Sequence, residues 1–124
     1  MDQFPGSHWF RVVFISLCFT NSLSAQSQIN TAEARDNVGR TATVCGNVRS
    51  TRYALSLKGT PTYITLDAAD TDFTIVIPGK DRAKFGQPDF TYIGRSVCIT
   101  AKIEEGDGRI YMKAKDPKQI RIVR

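Results

Sequence analysis

From Arg40 onward the hydrophobic pattern of this chain has a period of two. Ala42, Val44, Gly46 and Val48 alternate with Thr43, Cys45, Asn47 and Arg49, and the alternation returns in residues 62–66, 73–77, 97–103 and 109–115. Successive side chains of a strand point to opposite faces, so each stretch reads as a half-buried strand. Five such strands, with a connection near the middle, bury their apolar faces together when the sheet closes or nearly closes into a β-barrel.

The last two strands form a hairpin turning at Glu105-Gly106-Asp107-Gly108. Parity sends Val97, Ile99, Ala101 and Ile103 inward from one arm, and Ile110, Met112 and Ala114 inward from the other. The outer face then shows Thr100, Lys102, Arg109, Tyr111, Lys113 and Lys115. One aromatic ring among four cations suits a single-stranded nucleic acid, because cations track phosphates while a ring stacks on a base. An ordinary solvated strand, whose lysines discourage edge-to-edge aggregation, carries the same pattern.

Ahead of the strands, Asn30 with Glu33 three residues on forms a capping-box pattern and Gly39 a stop, so one short helix of two to three turns is expected. Residues 52–61 read as a loop. Residues 80–94 hold Pro88 and further glycines, which leaves room for a helical turn around residues 81–85. Residues 119–123 extend the sheet at the end.

Residues 1–25 differ in kind. A polar start with Arg11 leads into the apolar run of residues 12–19 and then into small residues ending at Ala25. That order is a signal peptide, with cleavage expected after Ala25. The apolar run is about half the 18 or so residues that cross a bilayer, which argues against a retained anchor. Leu17 before Cys18 argues against lipid attachment. The 124 residues fall to 99 once 25 are removed, which is one domain, and Arg11 and Asp2 leave together, so the net charge stays at +5. The sole histidine, His8, leaves with them. Residues 26–124 therefore lack an imidazole for a triad, a proton shuttle or a zinc site, and a non-enzymatic protein is expected.

The succession "VGRTATVCGNV", "GTPTYITLD", "FTIVIPGKDRAKFG", "YIGRSVCITAKI" and "GRIYMKAKDPKQI" resembles small exported bacterial OB-fold proteins described only as nucleic-acid-binding-like. The resemblance covers roughly residues 29 to 123. Its marks are the two cysteine-bearing strands and the Asp116-Pro117-x-Gln119-Ile120 ending, and it departs at Arg95 and Ala101. It implies an all-β fold, a five-stranded OB-type β-barrel with a short N-terminal helix, and it carries no defined activity.

In an OB fold the first and fourth strands are antiparallel neighbours, and Cys45 and Cys98 both oppose the apolar parity of their strands. A disulfide between them fits an oxidising compartment and would contribute roughly 3 to 4 kcal/mol. Two buried thiols, reached if Gly46 shifts the parity, are the alternative. A redox-active pair is disfavoured by the absence of a Cys-x-x-Cys arrangement.

OB barrels bind across their second and third strands with the adjoining loops. That adds Tyr63 and, from the loop after the first strand, Arg49, Arg52, Tyr53 and Lys58 to the hairpin's Lys102, Arg109, Tyr111 and Lys113 as candidate ligand-binding residues, with Tyr53, Tyr63 and Tyr111 as a stacking track if Tyr63 faces outward. Asp67, Asp70 and Asp72 share a turn and could crowd a calcium ion, but aspartates are ordinary turn residues and no metal site is expected. The function expected is an exported binding module for single-stranded nucleic acid or another anionic polymer, in the periplasm or secreted, with no cofactor and no membrane insertion after cleavage. The rival is an envelope-stress or protein-interaction scaffold with an envelope protein as partner. A nuclease built on the aspartate turn trails both.

Overall fold

The computed structural model describes residues 28–68 and 72–124. The segment expected to be a signal peptide and Asp70 lie outside them. The strands are β1 (Gln28–Asn30), β2 (Thr41–Tyr53), β3 (Thr62–Leu66), β4 (Phe73–Ile77), β5 (Ser96–Lys102), β6 (Glu104–Gly106), β7 (Arg109–Lys113) and β8 (Ile120–Ile122). Their lateral order is β6-β7-β4-β3-β2-β5-β8, with β1 laid parallel against β2. Five of the eight were expected as strands with one extension; the count rises because the fourth barrel strand is split and short strands are added at both ends.

The split is what curls the sheet. Between β5 and β6 the chain pauses at Ile103, whose N–H donates to the Arg40 carbonyl at 2.9 Å and whose carbonyl accepts from Gly39 N–H at 2.7 Å. On one side of this point β5 pairs with β2, and on the other β6 pairs with β7. One continuous segment therefore joins the two ends of the β7-β4-β3-β2 path.

β2 holds the barrel from both sides. Thr41 to Asn47 pair antiparallel with β5, and Val48 to Tyr53 pair antiparallel with β3, with a bulge between Val48 and Ser50. A bulge adds one residue to one strand and bends it, which lets a single strand turn from one partner to the next. A glycine within a strand often marks such a bend, and Gly46 is the glycine of β2. Gly46 instead marks close packing: a Cβ there would stand 3.2 Å from Thr31 Cγ2 and 3.4 Å from Leu66 Cδ1. β2 also runs on to Tyr53, past the point where residues 52–61 read as a loop.

The interior follows the period-two pattern. Val44, Val48, Ile64, Leu66, Phe73, Ile75, Val97, Ile99, Ile103, Ile110 and Met112 are all buried in one cluster. Burying each such side chain stabilises the fold by roughly 1.5 to 3 kcal/mol. The β6–β7 turn is Asp107-Gly108, both at positive φ (52° and 75°), the geometry in which a two-residue Asp-Gly loop matches the twist of a hairpin.

Three short α-helices complete the described residues. α1 (Thr31–Ala34) carries the expected capping box: Asn30 Oδ1 accepts from Glu33 N–H, and Glu33 Oε1 accepts from Asn30 N–H, both at 2.9 Å. It is shorter than expected, a single turn continued by a 3-10 turn over Arg35–Asn37. α2 (Arg82–Phe85) is the expected helical turn. α3 (Pro88–Thr91) was not foreseen, because Pro88 was read as a breaker when it occupies the first helical turn, where its missing N–H costs nothing.

α3 packs on β2 and β3. Arg82 fastens α2 to both: one guanidinium nitrogen donates to Thr62 Oγ1 at 2.7 Å, another to Asp89 Oδ1 at 2.8 Å, and the guanidinium lies 3.5 Å from the Tyr53 ring centroid. Thr51 Oγ1 adds a bond to the Asp89 carbonyl at 2.8 Å.

Cys45 and Cys98 are direct partners in the β2–β5 ladder and form a disulfide. Strand parity runs through Gly46 unchanged, so the buried-thiol alternative does not arise. Among the described residues no helix is long and apolar enough to cross a membrane.

Candidate ligand-binding groove

The outer face of the second half of β2, with β3, β4 and β7, forms a groove of about 770 Å³. The register arranges its floor in two rows that cross the strands. One row runs Ser50, Thr65, Thr74, Tyr111, with Glu104 beyond. The other runs Arg52, Tyr63, Val76, Lys113. The members on β3, β4 and β7 alternate with buried residues and so point outward, and Ser50 and Arg52 are exposed on β2.

The first row is a line of four hydroxyls, each able to donate and accept. Tyr111 Oη donates to Glu104 Oε1 at 3.4 Å, which tethers the ring at the row's end. The second row sets a cation at each end of an aromatic and an aliphatic side chain. With neighbouring strands about 4.8 Å apart, Tyr63 and Tyr111 are two strands, or about 10 Å, apart across the sheet and offset by one row. That separation suits two rings holding two different bases of an extended strand rather than one base between them.

The walls come from three turns. Leu57 stands in the 54–61 loop, Asp72 precedes β4, and Gly106, Asp107 and Arg109 belong to the hairpin. The 54–61 loop is pinned at its base, where Gly79 N–H donates to the Gly59 carbonyl at 2.9 Å and a Cβ at Gly79 would collide with Gly59 and Thr60. Asp72 is ion-paired with Arg49 at 3.2 Å, in an exposed geometry worth little by itself. Arg52 and Arg109 enter no ion pair among the described residues.

Of the residues singled out from the sequence, the groove brings together Arg52, Tyr63, Arg109 and Tyr111. Lys113 stands on the same face beside Val76, at the groove's end. Arg49 sits at the bulge and reaches Asp72. Lys58 is exposed in the 54–61 loop, and Lys102 is exposed near the end of β5, opposite Thr41.

Tyr53 is not part of the groove. It pairs with Thr62, whose side chain is fully buried, and lies under Arg82 on the other side of the strand. The stacking track therefore holds two rings, with Tyr63 outward. Sequence reasoning missed Ser50, Leu57, Thr74, Val76, Asp72 and Asp107 as groove residues. Parity along 73–77 marks Thr74 and Val76 as outward, whereas Ser50 depends on the bulge, which nothing local to Arg49 announces. Among the described residues no cluster of three or more acidic, cysteine or histidine side chains could hold a metal ion.

A mostly β chain whose sheet curls round, with a parallel pairing between β4 and β7 and antiparallel pairings elsewhere in the ring, has an OB-like fold. Solved structures agree. An aspartyl-tRNA synthetase structure from Leishmania major Friedlin superposes with a TM-score of 0.57 at 16% identity, covering 84% of this chain and 22% of that one. The Entamoeba histolytica asparaginyl-tRNA synthetase in complex with asparaginyl-adenylate gives 0.54 at 16% identity, over 80% and 24% of the two chains. The S. pombe Stn1-Ten1 complex gives 0.52 at 16% identity, over 68% and 59%. This chain thus spans about a quarter of the synthetases and under two thirds of the third structure, and the likeness is one of fold. No family model and no curated protein matches the sequence.

Proposed function

We propose that the chain is an exported, non-enzymatic OB-fold module whose groove binds a short stretch of single-stranded nucleic acid. The observation that carries this reading is the joint placement of Tyr63 and Tyr111 on one floor, with Arg52 and Arg109 beside them. Bases stack on rings without regard to sequence, and guanidinium groups take the flanking phosphates. Two of the fold neighbours are tRNA synthetases by name, which is consistent with this use of the fold. Asp72 and Asp107 in the walls limit how many phosphates can lie inside. The bases face the floor, and the backbone leaves past Arg52, Arg109 and Lys113.

The test is anisotropy of a fluorescent oligothymidylate titrated across salt concentrations. Three phosphate contacts predict a slope of about −2 in log affinity against log salt. No detectable binding at low salt would overturn the reading and leave the scaffold role.

Export is the second half of the proposal and rests on residues 1–25. Mass spectrometry of protein from a periplasmic or secreted fraction is expected to find Gln26 first, whereas an intact Met1 in a membrane fraction would count against it.

A further inference from the structure

The groove occupies one half of the curled sheet, and the other half carries a second concavity of about 310 Å³. It forms on the outer face where β1, β2, β5 and β8 lie side by side. The register sets Gln28 beside Thr43, Thr43 beside Thr100, and Cys98 beside Arg121. Lys118, on the 3-10 turn over Pro117–Gln119, completes the rim. The lining contains two cations and no carboxylate, whereas the groove has Asp72 and Asp107 in its lining. Lys118 and Arg121 are exposed and enter no ion pair among the described residues.

The threonine pair and the turn that carries Lys118 are held in place. Thr43 Oγ1 and Thr100 Oγ1 lie 2.7 Å apart. One of their protons is shared between the two oxygens, so the other O–H is free to donate to a third group. The Gln119 carboxamide accepts from the N–H groups of Lys115 and Asp116 and donates to the carbonyls of Thr100 and Lys113, which fixes the turn that bears Lys118. The Cys45–Cys98 bridge ties β2 to β5 beneath the site. Arg121, Lys118 and the Thr43–Thr100 pair line one hollow, and a guanidinium, an ammonium and a hydroxyl can each donate.

We propose that this concavity binds a tetrahedral oxyanion of the phosphate type, with Arg121 and Lys118 supplying the charge and the Thr43–Thr100 pair a neutral donor. A tetrahedral anion presents oxygens in several directions and so satisfies donors arriving from β2, β5, β8 and the turn together. The site is separate from the groove and does not depend on what the groove binds. Two sources share this chemistry: free inorganic phosphate and the terminal phosphate of an oligonucleotide.

The experiment follows backbone amide shifts of the folded protein by NMR, with inorganic phosphate, 5′-phosphorylated oligothymidylate and unphosphorylated oligothymidylate as the three probes. Saturable movement of the Thr43, Thr100 and Arg121 amides with phosphate, while those of Thr65 and Thr74 stay still, supports a free-anion site. Movement at these positions with the phosphorylated oligonucleotide alone supports a polymer end. In either case Arg121→Gln is expected to weaken the responding probe roughly tenfold, and Lys118→Gln by less. Both residues are exposed, so both variants are expected to melt with the wild type. The proposal falls if neither phosphate nor the phosphorylated oligonucleotide moves these amides saturably, if the unphosphorylated oligonucleotide moves them as well as the phosphorylated one, or if a correctly folded Arg121→Gln binds as tightly as the wild type.

Discussion

Arg52 and Tyr53 are adjacent in the chain and serve opposite sides of one strand. Arg52 faces Tyr63 in the groove, while Tyr53 lies under the Arg82 guanidinium. The difference is measurable. Tyr63→Ala and Tyr111→Ala are each expected to weaken oligonucleotide binding by about 1 to 3 kcal/mol with the salt slope unchanged, and Lys113→Ala to lower the slope by about one unit. Tyr53→Ala is expected to leave binding alone and to cost about 1 to 2 kcal/mol of stability through the lost cation–π contact. Affinity loss in Tyr53→Ala at unchanged stability would contradict this division. Arg82 carries more. Arg82→Ala strands the buried Thr62 hydroxyl and the mostly buried Asp89 carboxylate, for an expected loss of about 2 to 4 kcal/mol in urea unfolding. A change under 0.5 kcal/mol would mean that the clip is decorative.

At the scale of elements, what the sequence displays is whatever a local period or a local cap can encode. The β3–β4 and β6–β7 hairpins, the Asn30 capping box and the cysteine parity all lie within a few residues of the signals that specify them. Other features depend on residues far along the chain. The bulge at Arg49 exists because β2 must leave β5 and take up β3, and both partners are supplied later. The Gln119 side chain earns its place in the Asp116-Pro117-x-Gln119-Ile120 ending only when Thr100 lies against it. The groove walls suffer most, since Leu57, Asp72 and Asp107 belong to three separate turns. The disulfide belongs to this scale too, because it joins β2 to β5 across 53 positions of sequence. Its reduction removes a constraint on the unfolded chain worth about 3 to 4 kcal/mol, so a melting temperature lower by roughly 10 °C or more is expected in reductant. An unchanged melting temperature after complete reduction, verified by thiol titration, would show that the ladder alone holds these strands.

Over the whole molecule, charge and core are kept apart. Of the residues behind the net charge of +5, Arg52 and Arg109 share the groove with Asp72 and Asp107, while Lys118 and Arg121 line the second hollow with no carboxylate beside them. The interior is almost wholly apolar, and Tyr92 is the titratable side chain that joins its cluster, at 6% exposure. Burial of its phenol penalises the charged form and raises its pKa above the ordinary value of 10.0. The sign of the consequence follows from proton counting. Above pH 10 the unfolded chain loses this proton while the folded protein keeps it, so the unfolded state binds fewer protons and stability falls as pH rises. Below pH 10 both states hold the proton and the contribution is complete. Tyr92→Phe keeps the ring in the core and removes the ionisation, and every other titratable side chain stays in place. Melting curves of the two proteins between pH 8 and about 12 are therefore expected to run in parallel up to pH 10 and to diverge above it, with the wild type falling further. Parallel curves throughout would mean that the phenol reaches water in the folded state, and that the end of the barrel near α3 is more open than its packing indicates.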